Sequence, residues 1–541
     1  MLSLEIRGVA LAVIAAGSSM VALSVPPAIA ANAAIASDFD GDGYADLAIG
    51  VPGEDIGSIR DAGMVNVLYG GSGGLSASGD QGWHQDSGGI VGTSEGPPLA
   101  GTVAGDAFGT AVASGDFDRD GRADLAVGAP MDRVGTVRYA GAVAVIYGSP
   151  TGLASAGNQL WSQDSLVDDP EQGDGFGRTL VVGDFDGDGY ADLAIGVPGE
   201  TIAPDEAPGM VIVLPGSAGG LTGTGSVVLT RAMTGAPYLA ETPHGFGQSL
   251  AAGDLDGDGF ADLAVGASTS GIGGDDPGRP LVGGEVSVFY GTATGLGTDG
   301  VQLWTQDGPD VPGTAEGGDR FGGSLAIGDF DGDGDGDLAI GAPFDRVGTV
   351  RPGTVTILPG TPVGLSGVGS QSWHQDVAGV PGAAEADDHF GAALAAGDLD
   401  GDGRSDLAIG VPGEALGATS SGAGMVDVLY GSSAGLAASR AQGWSQNSLG
   451  VPGRSEATDT EWDSFGAHLA AGQFGRSSRV DLAIGVHLER LGSIANAGMV
   501  NVLYGATGGL TSSGAQGWSQ ESSGVTGAAE AYDYFGQSLT P

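Results

Sequence analysis

Two residue types are missing from this chain altogether, cysteine and lysine, so arginine supplies all 18 positive side chains. Without cysteine there are no disulfide staples and no thiolate metal sites, which leaves packing and oxygen-bound ions to hold an exported chain together. Aromatic residues are scarce at 6%, whereas glycine numbers 107 of 541 residues, a balance suited to many short strands and tight turns rather than to helices. Against 67 acidic residues the net charge is -49, which argues against nucleic acid as a partner and for cations or a basic surface. Long apolar runs are confined to one end. Residues 1–33 carry Arg7, an apolar run from Val9 to Val25, and small-residue sites at Ala28-Ile29-Ala30 and Ala31-Asn32-Ala33. That is the layout of a secretory signal, with an uncleaved anchor as the alternative. No later run approaches the roughly 18 apolar residues that cross a bilayer, so residues 34–541 are expected to be secreted, with no membrane span after cleavage, and to act as a monomer.

What is present is a repeat. The stretch DFDGDGYADLAIGVP, Asp38 to Pro52, returns about every seventy residues. Asp38, Asp40, Asp42 and Asp46 fall at positions one, three, five and nine of a calcium loop; Gly43 makes the sharp turn, and the Tyr44 carbonyl supplies position seven. The second loop offers Asp116, Asp118, Asp120 and Asp124 with the carbonyl of Arg122; the third, Asp184, Asp186, Asp188 and Asp192 with Tyr190. The fourth has Asp254, Asp256, Asp258 and Asp262 with Phe260, and the fifth Asp329, Asp331, Asp333 and Asp337 with Asp335. The sixth has Asp398, Asp400, Asp402 and Asp406 with Arg404. Carboxylates this close repel one another without a counter-ion, and an all-oxygen cage suits calcium better than magnesium or zinc. About six structural calcium ions are therefore expected. A seventh copy replaces three carboxylates by Gln473, Gly475 and Ser477 and keeps only Asp481; it should hold no ion, with Arg476 or Arg479 neutralising Asp481 instead.

Each loop leads into a short apolar strand such as LAIGVP, which a helix-flanked calcium loop would not. Eight residues before every loop but the first stands a Phe-Gly pair, from Phe108 to Phe465, and one more pair, Phe535-Gly536, lies near the C-terminus. Alternating segments such as GMVNVLYG from Gly63 read as half-buried antiparallel strands. A Trp-x-Gln segment closes every repeat except the third, at Trp83, Trp161, Trp304, Trp373, Trp444 and Trp518. Four strands per repeat and seven repeats predict an all-β, seven-bladed β-propeller, with a linear solenoid as the rival. The first repeat lacks a Phe-Gly pair and the last residues supply a spare one, so the two ends are expected to share a blade.

The Phe-Gly pairs, the Asp-x-Asp-x-Asp-Gly-x-x-Asp loops and ends such as Gly128-Ala129-Pro130 resemble FG-GAP repeats, the blades of the integrin α-subunit head. That resemblance implies calcium in the hairpins between first and second strands, on the lower face. It places partners on the opposite face, built from the second-to-third and fourth-to-first connections.

Candidates for chemistry are few. Gly70–Gly74 and Gly431–Gly435 match the hydrolase elbow GxSxG, but no helix is expected after either. The six histidines, His84, His244, His374, His389, His468 and His487, show no metal or triad spacing. An enzyme is not expected. The tryptophans are read as core, and as sugar platforms only if they prove exposed. Among the variable loops, Asp132, Arg133, Asp345, Arg346, Glu489 and Arg490 are candidates for contact with an extracellular protein or glycan. The expected role is a calcium-binding extracellular adhesion module, the alternatives being a lectin-like propeller or a non-catalytic accessory of an extracellular hydrolase.

Overall fold

A computed structural model of the chain describes residues 37–540 apart from 96–104, 167–168, 202–208, 236–244, 269–282, 418–421 and 456–461. The leader expected at residues 1–33 lies outside the described residues. The repeats form seven four-stranded antiparallel sheets, six of them with their strands in sequential order and one that takes its first strand from the C-terminus. The second sheet is typical, with strands Ala111–Gly115, Asp124–Ala129, Ala142–Tyr147 and Ala154–Trp161. First strands of neighbouring sheets touch, Ala111–Gly115 against Thr179–Gly183 for example, and so line a central axis. The ring closes as a propeller of seven blades. Its seam lies in blade 1, where Ser538–Leu539 is the innermost strand and pairs with Leu47–Val51 through Ile49 and Gly50. That C-terminal strand also touches the first strands of blades 2 and 7, so both chain ends finish inside one sheet and no inner edge is left open.

The alternating segments are buried on both faces rather than one. Every residue of Met64–Tyr69 is buried, as is every residue of Leu47–Val51. Alternation here separates two interfaces: Met64 and Leu68 pack toward blade 7, whereas Val65 and Val67 pack toward blade 2. Each fully buried Val, Leu or Ile contributes roughly 1.5–3 kcal/mol, so stacking of sheets is the main source of stability. The polar residues of the pattern are buried too. Asn66 donates its side-chain N–H to the Thr526 carbonyl at 2.9 Å, and Asn501 donates likewise to Pro452 at 2.8 Å.

Blade 6 has Asp427 at the equivalent register, opposite Ile409 as Asn66 is opposite Ile49. Its carboxyl is fully buried, and neither oxygen has a hydrogen-bond partner. Burial, aided by the charge of Glu414, pushes it well above the usual carboxylate range. Because the folded value exceeds the unfolded one, the penalty grows as pH rises. Asp427→Asn restores the donor found in blades 1 and 7. It is expected to stabilise by about 1–3 kcal/mol at pH 8, with less gain at pH 5 where the acid already carries its proton. Urea midpoints at the two pH values check this, and no gain at pH 8 would contradict it.

The Phe-Gly pairs fasten each blade to the one before. Phe108 is buried and donates its backbone N–H to Ala62 at 3.0 Å, across the junction between blades 1 and 2. Gly63 lies so close to this crossing that a Cβ there would meet the Phe108 carbonyl at 2.2 Å, and its φ is +83°. A glycine therefore opens every alternating segment for a steric reason.

Candidate metal centres

The acidic loops occupy one end of the ring. In blades 2 to 6 each joins the first strand to the second, as between Gly115 and Asp124. In blade 1 it follows the seam, with Ser37 bonded to Thr540 at 3.1 Å. Within the first loop Asp38 accepts backbone N–H groups from Gly41, Asp42 and Gly43 at 2.8, 3.0 and 2.9 Å. This turns its carboxylate toward Asp40 and Asp42, and all three bring oxygens within 4.8 Å of one another. The sets Asp116, Asp118, Asp124; Asp184, Asp186, Asp192; and Asp254, Asp256, Asp262 converge in the same way. In each of the six loops the residue at position seven donates its N–H to the aspartate at position five, as Tyr44 does to Asp42 and Asp335 to Asp333 at 3.0 Å. These oxygen-only clusters can hold a metal ion.

Position nine has a second task. Asp46 accepts N–H groups from Phe39 at 2.8 Å and from Gly70, at the end of the third strand, also at 2.8 Å. Asp124, Asp192, Asp262, Asp337 and Asp406 make the same pair of bonds. Burial pushes all six up, Asp46 and Asp124 to about 8 and the others to about 7. The loops are also tied to one another. The N–H at position eight reaches the position-one carbonyl of the preceding loop, from Ala123 to Asp38 at 2.9 Å through Val480 to Asp398 at 3.1 Å, and Ala45 closes the circle on Gln473 at 2.9 Å.

That second task explains the degenerate seventh loop. Asp481 keeps its bond from Gly505 at 2.8 Å, so the one retained aspartate is the one that braces the fold. The expected salt bridge is not formed. Arg476 lies 4.4 Å over the Tyr504 ring and only modestly offsets the effect of burial on Asp481, which is raised to about 7. Arg479 instead bonds the Asp400 carbonyl at 2.8 Å and Thr507 at 2.8 Å. In the sixth loop Arg440 pairs with the Asp400 carboxylate, and in the second Arg122 pairs with Asp120 at 2.7 Å.

The opposite end holds a constellation that the sequence did not reveal. The glutamine of each Trp-x-Gln crosses to a buried acid of the next blade. Gln85 reaches Asp132 at 2.7 Å, Gln163 Glu200 at 2.6 Å, Gln306 Asp345 at 2.8 Å, Gln375 Glu414 at 2.7 Å and Gln446 Glu489 at 2.8 Å, while Gln520 closes the ring on Glu54 at 2.5 Å. Asp132, Asp345 and Glu489, expected in partner contact, are thus buried inside junctions. Arg346 is exposed and pairs with Glu316 at 3.1 Å, while Arg133 is half-buried and pairs with Glu95 at 3.5 Å. Blade 3 puts Leu229 and Arg231 where its neighbours have Trp and Gln, since Leu229 pairs with Val211 as Trp161 does with Val143. Arg231 forms a buried bidentate pair with Glu285 of blade 4.

None of the tryptophans of the repeat is exposed, and each packs on a core cluster. The GxSxG segments lie in turns, Gly70–Gly74 between Met64–Tyr69 and Ser76–Trp83, and no helix follows them. His468 and His487 meet edge to face with ring centroids 5.0 Å apart, a contact their spacing in the chain does not show.

Six segments match the FG-GAP repeat: residues 30–68, 108–146, 176–229, 246–282, 321–358 and 390–429. The chain is an FG-GAP repeat protein. The seventh blade has the same four strands but falls outside the matched segments, in keeping with its lost loop aspartates. Integrin alpha-PS2 of Drosophila melanogaster is 31% identical over 249 residues, 44% of this FG-GAP chain and 15% of that protein. Integrin alpha-5 of Xenopus laevis is 34% identical over 240 residues, covering 44% and 20%. Phosphatidylinositol-glycan-specific phospholipase D of Rattus norvegicus is 34% identical over 181 residues, covering 34% and 20%. The likeness is thus confined to a fifth or less of these relatives' length. No helix of the described residues is long and apolar enough to cross a membrane.

Proposed function

We propose that this chain is a secreted, calcium-stabilised propeller that works as an extracellular binding or adhesion module and has no chemistry of its own. The observation that carries this reading is the division of labour between its two ends. One end repeats a cage of aspartates in six blades, suited to calcium, and ties each cage to the next by backbone hydrogen bonds. The other end carries loops that differ from blade to blade and present the half-buried Arg133 and the exposed Arg346. Similarity to integrin alpha chains supports an extracellular protein ligand on that face. The tryptophans, Trp373 buried and the other five half-buried against core clusters, offer no exposed ring of indoles for sugar stacking. A screen against glycans and extracellular proteins, run in calcium and in chelator, tests the proposal. Calcium-dependent capture of a protein, weakened by Arg133→Ala with Arg346→Ala, is the expected result; capture of sugars alone would overturn it.

The similarity to phosphatidylinositol-glycan-specific phospholipase D favours a second reading, a non-catalytic accessory of an extracellular hydrolase. Turnover of a glycosylphosphatidylinositol substrate by the chain alone would overturn both readings.

Calcium and protons should compete. The position-nine carboxyls, raised by burial to about 7–8, confer stability when protonated. That stability is complete below the ordinary carboxylate value of about 4 and is lost as pH rises through 7–8. Without calcium the urea midpoint is therefore expected to be higher at pH 5.5 than at pH 8.5, and the gain on adding millimolar calcium should be larger at pH 8.5. A larger calcium gain at the lower pH would contradict this.

A further inference from the structure

We propose that the junction between blades 6 and 7, at the end that carries the aspartate loops, binds a tetrahedral oxyanion, sulfate or phosphate, through Arg404, Arg440 and Arg479. The three side chains line one cavity of about 490 Å³. Such convergence is unexpected in a chain with 18 arginines, no lysine and a net charge of -49.

The repeat departs from its own pattern twice at this junction. Four residues before the Trp of the fourth strand, the other Trp-bearing blades have a glycine at left-handed φ, from Gly79 at +91° to Gly514 at +80°. Blade 6 has Arg440 there, exposed on the cavity wall. The loop that follows is the one stripped of three carboxylates, so it brings Arg479 to the cavity while its remaining acid, Asp481, is fully buried. Each of the first five loops is followed instead by a loop with four aspartates.

Two of the guanidinium groups are anchored chiefly on uncharged oxygens. Arg479 donates from Nε to the Asp400 carbonyl and from Nη2 to the Thr507 hydroxyl, each at 2.8 Å, and Arg404 donates from Nε to the Asp331 carbonyl at 3.2 Å. These bonds fix position without cancelling charge. Asp400 pairs with Arg440, and Asp402 lies 3.5 Å from Arg404, so two carboxylates face three guanidinium groups and one positive charge is left over. Arginine carries five N–H donors in a fixed fork, and the Nη1 groups of Arg440 and Arg479, not spent on these contacts, suit the oxygens of a tetrahedral anion. The turn Gly431–Gly435, the second GxSxG match, forms part of the wall, where exposed Ser433 adds a hydroxyl. A cavity of this volume is in the range of small-molecule sites and exceeds a bare anion, leaving room for the group to which the anion is esterified.

The site is independent of the protein ligand proposed for the opposite end, and its test needs no such ligand. Uptake of radiolabelled inorganic sulfate is measured by equilibrium dialysis in millimolar calcium for the full chain, for Arg440→Gly, for Arg479→Gln and for Arg122→Gln. The last alters an arginine that pairs with Asp120 in the second loop, outside the cavity. One saturable site is expected in the unaltered chain and in Arg122→Gln. Arg440→Gly, an exposed position returned to the residue of the other blades, should fold normally and weaken that site about tenfold or more, as loss of a charge-assisted hydrogen bond predicts. Phenyl sulfate is the competing probe. Stronger competition than by inorganic sulfate assigns the site to an ester, and equal competition to the free anion. Absence of saturable uptake by the unaltered chain, or equal uptake by it and by Arg440→Gly, would overturn the proposal.

Discussion

Chelation of calcium should weaken the ring by roughly 2–8 kcal/mol, since six sites of extracellular affinity near 1 mM calcium each contribute about 0.4–1.4 kcal/mol. Against a total stability of about 5–15 kcal/mol, that is a large fraction. The effect should spread beyond the loops, because each one is bonded to its neighbour: Ala123 to the Asp38 carbonyl and Ala191 to the Asp116 carbonyl. Emptying one cage frees the carbonyl that orients the next blade. Calorimetry in EDTA and in millimolar calcium makes the measurement. One transition at a single temperature in both buffers would refute a structural role for the ions.

Loss of Arg231 should be the most damaging single substitution. Arg231→Met strands Glu285, 2% exposed, without its guanidinium, and breaking a buried pair from one side costs about 3–5 kcal/mol. The third blade has few substitutes for this contact. In blades 1, 2, 4, 6 and 7 a tyrosine at the end of the third strand and a glutamine of the fourth clamp the next blade, as Tyr147 and Gln159 hold Leu221 at 3.2 and 3.0 Å. Blade 3 has Pro215 and Val227 at those positions. Replacing both partners, Arg231→Met with Glu285→Met, removes both charges together and should recover most of the loss. Urea unfolding at fixed calcium measures all three proteins. An unchanged midpoint for Arg231→Met would show that the third and fourth blades are held without it.

Much of the architecture was legible in the chain. Period, strand content, the aspartate spacing and the orphan FGQSL at Phe535–Leu539 together announced seven blades and a shared seam. Local readings were less complete where burial depends on neighbouring blades. The alternation of Met64–Tyr69 suggests one wet face, yet both faces are dry because the sheets stack. Asp132, Asp345 and Glu489 read as surface charges, yet each is buried on an amide from the blade before. Arg231 carried no recognisable motif, having replaced the glutamine of Trp-x-Gln.

By itself the sequence determined the repeat, the fold and the oxygen-rich loops, because those follow from spacings of fewer than about ten residues that hold wherever the segment lies. Only the tertiary structure decided which polar groups meet across blades. Gln520 and Glu54 are separated by 466 residues and touch because the ring closes. Asp481 survives in a loop stripped of its other ligands because its oxygen braces Gly505, a strand away. Contacts of that kind depend on which sheet lies against which, and no local pattern encodes it.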